Sequence, residues 1–257
     1  MSELWDAAFP TLRLNGAGAV AFLQGQTSAD VKAAAPGDLI QSCWLTATGR
    51  VQALLEIRTD AEGADVLILA GDANAVASGF DRVIFPADQV NLIEIRQQRR
   101  QQDLSTAASG HWVDGKPSEG HDLDRLERRR IARGWPGAGE LRGDTNPFEL
   151  GLTSWVSLTK GCYLGQETMA KLASRDGVKQ QLRFWESSEE VAIDARLSHG
   201  EARAGLVTSA MHDSQNQRWI GLALIRRNLL DLANLSGPEG QELSISCPSG
   251  VEDPPQS

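Results

Sequence analysis

Cysteine is scarce in this chain of 257 residues: there are three, an odd number without paired spacing. That argues against a disulfide scaffold and for a reducing compartment. Histidine is little commoner. His111, His121, His199 and His212 make no H-x-x-x-H and the cysteines make no C-x-x-C, so no metal site is expected. Long apolar runs are also missing, and none approaches the roughly 20 residues needed to span a bilayer. The first residues, Met1-Ser2-Glu3-Leu4-Trp5-Asp6, carry early acids and no apolar stretch of signal-peptide kind. A cytoplasmic protein without membrane association is expected. Aromatic residues make up 5%, and the formal net charge is −9. The overall field repels nucleic acid, and the one basic stretch lacks the interleaved aromatics that single-strand binding uses, so direct nucleic-acid contact is disfavoured.

What is present is ordinary for a globular protein: 41% hydrophobic and 23% charged residues. The length suits one large domain or two to three small ones. Over the first hundred residues the pattern alternates. It predicts a strand over 11–14, a helix over 17–24, strands over 41–46 and 51–59 around the turn Ala47-Thr48-Gly49-Arg50, and a third apolar run at 66–70. A helix over 72–84, with Asp72 as N-cap, and a strand over 90–95 follow. This order implies an α+β fold with antiparallel pairing of ferredoxin-like character. Residues 101–121 are polar and read as a loop, and 122–133 as a helix ending at Gly134-Trp135-Pro136. From Val178 the apolar runs become short, as in a small all-β unit. The expected division is an α+β region over 1–177, a β unit over 178–247 and a frayed, Pro-rich tail over 248–257.

Lys160-Gly161-Cys162-Tyr163-Leu164-Gly165-Gln166-Glu167 concentrates a thiol, the only tyrosine, two glycines, a cation and an anion. The next residues predict a helix. Cys162 would then lie just before a helix N-terminus, where unpaired amides and the dipole favour a thiolate, with Lys160 adding positive charge. A cysteine can equally be a small buried hydrophobe, which fits Cys43 in Ser42-Cys43-Trp44-Leu45. No histidine lies nearby to suggest a Cys/His pair. Two other features invite weaker readings. Gly16-Ala17-Gly18-Ala19-Val20-Ala21 matches the dinucleotide fingerprint, but Pro36-Gly37 puts Asp38 in a turn instead of at the end of a second parallel strand. Arg125, Arg128, Arg129, Arg130 and Arg133, with Arg96, Arg99 and Arg100 before them, make either a solvated face or an anion site.

The octapeptide resembles the signature of the YgfZ family, folate-binding proteins of iron–sulfur cluster maintenance, related in fold to the aminomethyltransferase (T-protein) of glycine cleavage. Four further segments resemble that family in the expected order: Phe22-Leu23-Gln24-Gly25-Gln26-Thr27-Ser28-Ala29-Asp30, Leu45 to Val51, Arg130 to Pro136, and Asn146-Pro147-Phe148-Glu149. The resemblance implies ferredoxin-like α+β subdomains around a central channel, a small C-terminal β-barrel, and tetrahydrofolate or a derivative as cofactor. It implies Cys162 as a functional thiol with Lys160, Tyr163, Gln166 and Glu167 about it. Glu149 becomes the group that reads the pterin edge, Arg50 and Arg175 neutralise the folate tail, and Asp30 orients a turn or lines the channel. Iron–sulfur client or carrier proteins, tRNA-modifying enzymes among them, become the expected partners. T-proteins carry two aspartates after the glycine of the early strand turn. Here Arg50, Val51, Gln52 and Ala53 stand there, so an accessory role is expected over aminomethyl transfer. Trp135 stands where that family commonly has an aliphatic residue. A folate-independent thiol adaptor is the other alternative.

Overall fold

The computed structural model describes residues 4–104, 110–117, 122–174 and 177–255. The chain divides into two compact units, residues 1–121 with 154–171, and 122–153 with 172–257. The divide therefore differs from the one expected at 178. Composition changes there, but hydrogen bonds and packing send 122–153 with the second unit and return 154–171 to the first.

The first unit runs β1 (Leu4–Asn15), α1 (Ala19–Gln26), β2 (Leu39–Leu45), β3 (Val51–Thr59), β4 (Gly63–Ala70), α2 (Ala73–Asp81), β5 (Asn91–Asp103) and β6 (His111–Val113). These strands form one sheet in the order β2-β3-β4-β1-β5-β6, antiparallel throughout. Leaving aside the edge strands β2 and β6, the order β3-β4-β1-β5 with its β-α-β-β-α-β connection is the ferredoxin-like arrangement. Alternation decides which side is buried. Leu12, Leu14, Leu55, Ile57, Val66 and Ile68 face α1 and α2 and close a core around Phe22, Leu23, Val76 and Phe80. Asp72 caps α2 by accepting from the amides of Asn74 (2.8 Å) and Ala75 (3.3 Å). With no parallel β-α-β unit, the Gly16–Ala21 stretch is not a dinucleotide site. Its glycines let the backbone pass close to the carbonyls of Gln89 and Asp88.

The 101–121 segment is not wholly a loop. β5 continues to Asp103, and β6 pairs with its residues 99–101; residues 105–109 and 118–121 lie outside those described. The segment reads as polar because this part of the sheet buries charge. Arg100 (1% exposed) donates Nε and Nη2 to the Glu56 carboxylate (0%) at 2.8 and 3.0 Å, and Nη1 to Gln102 at 2.7 Å. Trp112 Nε1 donates to the same carboxylate at 2.6 Å and stacks under Arg58 at 4.5 Å. Glu56 lies on β3 and Trp112 on β6, four strand spacings or about 19 Å apart in a flat sheet. Their contact requires the sheet to curl strongly toward that face.

The second unit contains α3 (Leu123–Arg133), while α4 (Gln166–Ser174) carries the chain from the first unit into the second. α3 starts at the Asp122 cap and stops at Gly134, which adopts the left-handed conformation. The strands β7 (Gln180–Ser187), β8 (Arg196–His199), β9 (Ala202–Asp213), β10 (Arg218–Arg226), β11 (Asn234–Ser236) and β12 (Glu242–Ser246) close a six-stranded barrel around Trp185, Leu197, Val207, Ile225 and Leu243. The tail is held, contrary to expectation. Gly250 N donates to Arg133 O (3.0 Å), Glu252 N to Gly151 O (3.0 Å), Thr153 Oγ1 to Asp253 O (2.7 Å) and Gln181 Nε2 to Glu252 O (2.9 Å). Residues 256–257 lie outside the description.

Most of the arginine cluster is committed to internal pairs. Arg96 binds Asp65 (2.6 Å), Arg99 binds Asp6 (2.6 Å), Arg128 binds Asp213 (2.9 Å), and Arg130 holds Glu127 (2.7 Å) and Glu140 (3.2 Å). The anion-site reading does not apply to Arg99, Arg100, Arg128 or Arg130.

Candidate functional site

Three segments that are distant in sequence are joined in the first unit: 24–30, the β2–β3 turn, and 155–167. Ser28 begins the junction. Its Oγ donates to Trp155 O (2.7 Å) and accepts from Cys43 N (2.8 Å), and its carbonyl accepts from Ser157 N (2.9 Å). Leu164 N donates to Gly25 O (3.1 Å). Gly165, at φ +85°, lies where a Cβ would come within 2.8 Å of Thr46 O, and a Cβ on Gly49, at φ +73°, would come within 2.7 Å of Met169. Only glycine permits that approach of the two turns.

Lys160 is the strut of this junction. It is 7% exposed, and its Nζ donates to three main-chain carbonyls: Gln24 (2.8 Å), Thr27 (2.5 Å) and Ala29 (2.6 Å). It also lies 4.6 Å from the centroid of the Tyr163 ring. Burial pulls its ammonium down to about 8, opposed by the Asp30 carboxylate. The three donors of Lys160 are thus spent on carbonyls. Asp30 is held in turn by Gln24 Nε2 at 2.9 Å.

Around that strut the octapeptide splits into an exposed and a buried part. Cys162 is exposed, while Tyr163 is 7% exposed. The Tyr163 hydroxyl has no hydrogen-bond partner among the described residues, and burial pushes it up to about 12, with the Cys43 thiol adding to the shift. α4 begins at Gln166, four positions after Cys162 and one residue before the helix expected from Glu167. Gln166 closes the loop by donating to Lys160 O (3.3 Å). Glu167 pairs with Lys171 at 2.6 Å, and that hydrogen bond lowers its pKa.

The other residues expected at the site divide between the two units. Arg50 is half-buried, its amide donating to Thr46 Oγ1 (3.0 Å). Glu149 belongs to the second unit. It is 4% exposed and reciprocally bonded: Asn146 N donates to its Oε2 (3.0 Å) and its own amide donates to Asn146 Oδ1 (3.1 Å). Arg175 lies outside the described residues. Ser28, Ser42 and Gln24 were missed. The signal was there, polar residues inside otherwise apolar stretches, but nothing in the sequence names their partners. Among the described residues, no group of three or more His, Cys, Asp or Glu is placed to hold a metal. No helix among them is long and apolar enough to cross a membrane.

The burial of the three thiols predicts a labelling pattern. Cys43 is fully buried, and burial pushes it up to about 12; Cys162 and Cys247 are exposed. A thiol-reactive probe on native protein is expected to add two labels, and one in Cys162→Ser. Intact mass reads the count, and a label on native Cys43 would contradict the arrangement.

With this geometry the fold can be compared with known proteins. The glycine cleavage system aminomethyltransferase T of Bartonella henselae matches the whole chain and 88% of its own, with a TM-score of 0.75 and 15% identity. The chain therefore has the aminomethyltransferase T fold. In sequence, a chloroplastic protein of Arabidopsis thaliana described as a transferase is 33% identical over 109 residues. Those residues are 42% of this chain and 25% of that protein, so the match spans about a quarter of the relative's length. No family model matches the chain.

Proposed function

We propose that the protein is a tetrahydrofolate-binding accessory protein that supports assembly or repair of iron–sulfur clusters in client enzymes, tRNA-modifying enzymes among them. The observation that carries this reading is the exposed Cys162 on a loop held by Lys160, set in an aminomethyltransferase T fold. The residues present fit a folate. The Tyr163 hydroxyl, buried and without a hydrogen-bond partner among the described residues, is a polar group of the kind a pterin edge requires. Glu149, Asp30 and Arg50 are the residues of this chain that would hold it, together with Arg175. Bound tetrahydrofolate supplies a one-carbon carrier.

The chain's own residues favour an accessory role. Aminomethyl transfer calls for a positioned carboxylate. At the start of β3 the chain offers Arg50, Val51, an exposed Gln52 and an Ala53 sealed in the core. Cys162 supplies one thiol, whereas a cluster generally takes four ligands, so the cluster belongs to a partner and Cys162 meets it or its carrier. Lys160 and Gln166 hold the loop that carries that thiol.

The test is anaerobic calorimetric titration of tetrahydrofolate into wild type, Glu149→Ala and Cys162→Ala. Saturable binding is expected in wild type and Cys162→Ala, weakened at least tenfold in Glu149→Ala. No heat with wild type removes folate from the function and leaves a thiol adaptor. Turnover of this protein in place of the T component of glycine cleavage would instead make it an aminomethyltransferase.

A further inference from the structure

Arg183 breaks the pattern set by the other guanidiniums. On β7, Gln181, Arg183, Trp185 and Ser187 share one face; Trp185 lies in the barrel core, and Arg183 is paired in register with Ala223, also of that core. Arg183 therefore enters the barrel interior toward its Gln181 end, and it is 7% exposed. The other buried guanidinium, Arg100, has Glu56. Among the described residues Arg183 has no carboxylate partner: its Nη1 donates to Gln181 Oε1 and to Leu182 O, each at 2.9 Å, and both acceptors are neutral. The acidic residue of the same strand, Glu186, lies on the opposite face and pairs with Arg218 at 2.6 Å. A buried cation without a counter-charge is costly, and proteins normally pair it or neutralise it with a ligand.

Which edge remains open is informative. Arg99 and Arg100 grip their carboxylates side-on, through Nε and Nη2. In Arg183 those same two nitrogens donate to no protein group among the described residues, while Nη1 is fixed from behind. Gln181 is fixed as well, because its Nε2 donates to Glu252 O at 2.9 Å and leaves Oε1 for the guanidinium. The fork is thus oriented before any ligand arrives, the arrangement that favours bidentate recognition of a carboxylate or phosphate. We propose that Arg183 is the binding residue of an anion site in the barrel, taking a carboxylate or phosphate group side-on through Nε and Nη2. The site rests on the barrel alone and stands apart from the folate reading.

Thermal unfolding tests it, with inorganic phosphate and glutarate as separate probes, each against chloride at matched ionic strength. A ligand that binds only the folded state raises Tm by mass action. Wild type is expected to gain about 2 °C or more with at least one probe, saturably, and Arg183→Met to gain nothing beyond chloride. Phosphate alone, glutarate alone, or both would fix the class of anion. Arg183→Lys keeps the charge but loses the fork, so it is expected to lose the response too; it serves if the methionine variant does not fold. Equal gains in wild type and variants, or no gain with either probe in wild type, would overturn the proposal.

Discussion

Lys160→Met is expected to lower the free energy of unfolding by about 3 kcal/mol, read as a fall in the urea midpoint at unchanged slope. Methionine keeps most of the stem but strands the carbonyls of Gln24, Thr27 and Ala29, which now share one ammonium. Each unsatisfied buried acceptor costs on the order of 1–3 kcal/mol, offset in part because the burial penalty of the cation also disappears. Lys160→Arg is expected to fall between the two, since a planar fork cannot aim three donors at one convergent ring of oxygens. Linkage fixes the pH dependence. The folded ammonium titrates near 8 and the unfolded one near its ordinary 10.4 or so, so between those values the unfolded state binds more protons. Wild-type stability relative to Lys160→Met should therefore rise from about pH 8 to about pH 10.5 and lose that increment as pH falls back through 8. A methionine variant within about 0.5 kcal/mol of wild type would mean that the three contacts contribute nothing net.

Breaking the Glu56–Arg100 pair should have an effect at least as large. Arg100→Met leaves a carboxylate with 0% exposure whose one remaining donor among the described residues is Trp112 Nε1, and removal of one partner from a buried pair typically costs about 3–5 kcal/mol. Glu56→Leu strands both the guanidinium and the indole N–H. The double variant should be more stable than the sum of the two losses predicts, because apolar side chains can replace a buried pair at little net cost. Strictly additive losses in chemical denaturation would show that the two side chains do not act as a pair.

Much of the architecture was legible in the sequence because it rests on periodicity. The alternation in β1, β3 and β4, the Asp72 cap, the Gly134 stop and the switch to short apolar runs after Val178 are local signals, and each found its element. β5 and β6 were underread because Arg96 to Asp103 looks like a solvated loop; the carboxylates that neutralise it, Asp6, Glu56 and Asp65, lie tens of residues away. The tail was misjudged for the same reason. Proline and acidic residues suggested fraying, whereas its order comes from hydrogen bonds to Arg133, Gly151 and Thr153.

At the candidate site, the sequence singled out the octapeptide but not the partners that its side chains find. Lys160 lies two positions from Cys162, and proximity along the chain suggested an electrostatic partnership. In three dimensions its ammonium binds the carbonyls of Gln24, Thr27 and Ala29, which only tertiary structure could reveal. The same holds for Tyr163: adjacent to an exposed thiol, it is itself buried.

The interleaving of the two units sets an order on biosynthesis. The chain passes from one unit to the other after residues 121, 153 and 171. As the polypeptide leaves the ribosome, the complete β1–β6 sheet emerges while the segment containing Lys160 is still unmade. The carbonyls of Gln24, Thr27 and Ala29 therefore remain hydrated until that lysine arrives. Residues 122–153 likewise wait for the barrel strands that follow them. Neither unit is a contiguous stretch that can finish first, so a ribosome stalled before residue 160 holds a sheet that lacks its last fastening.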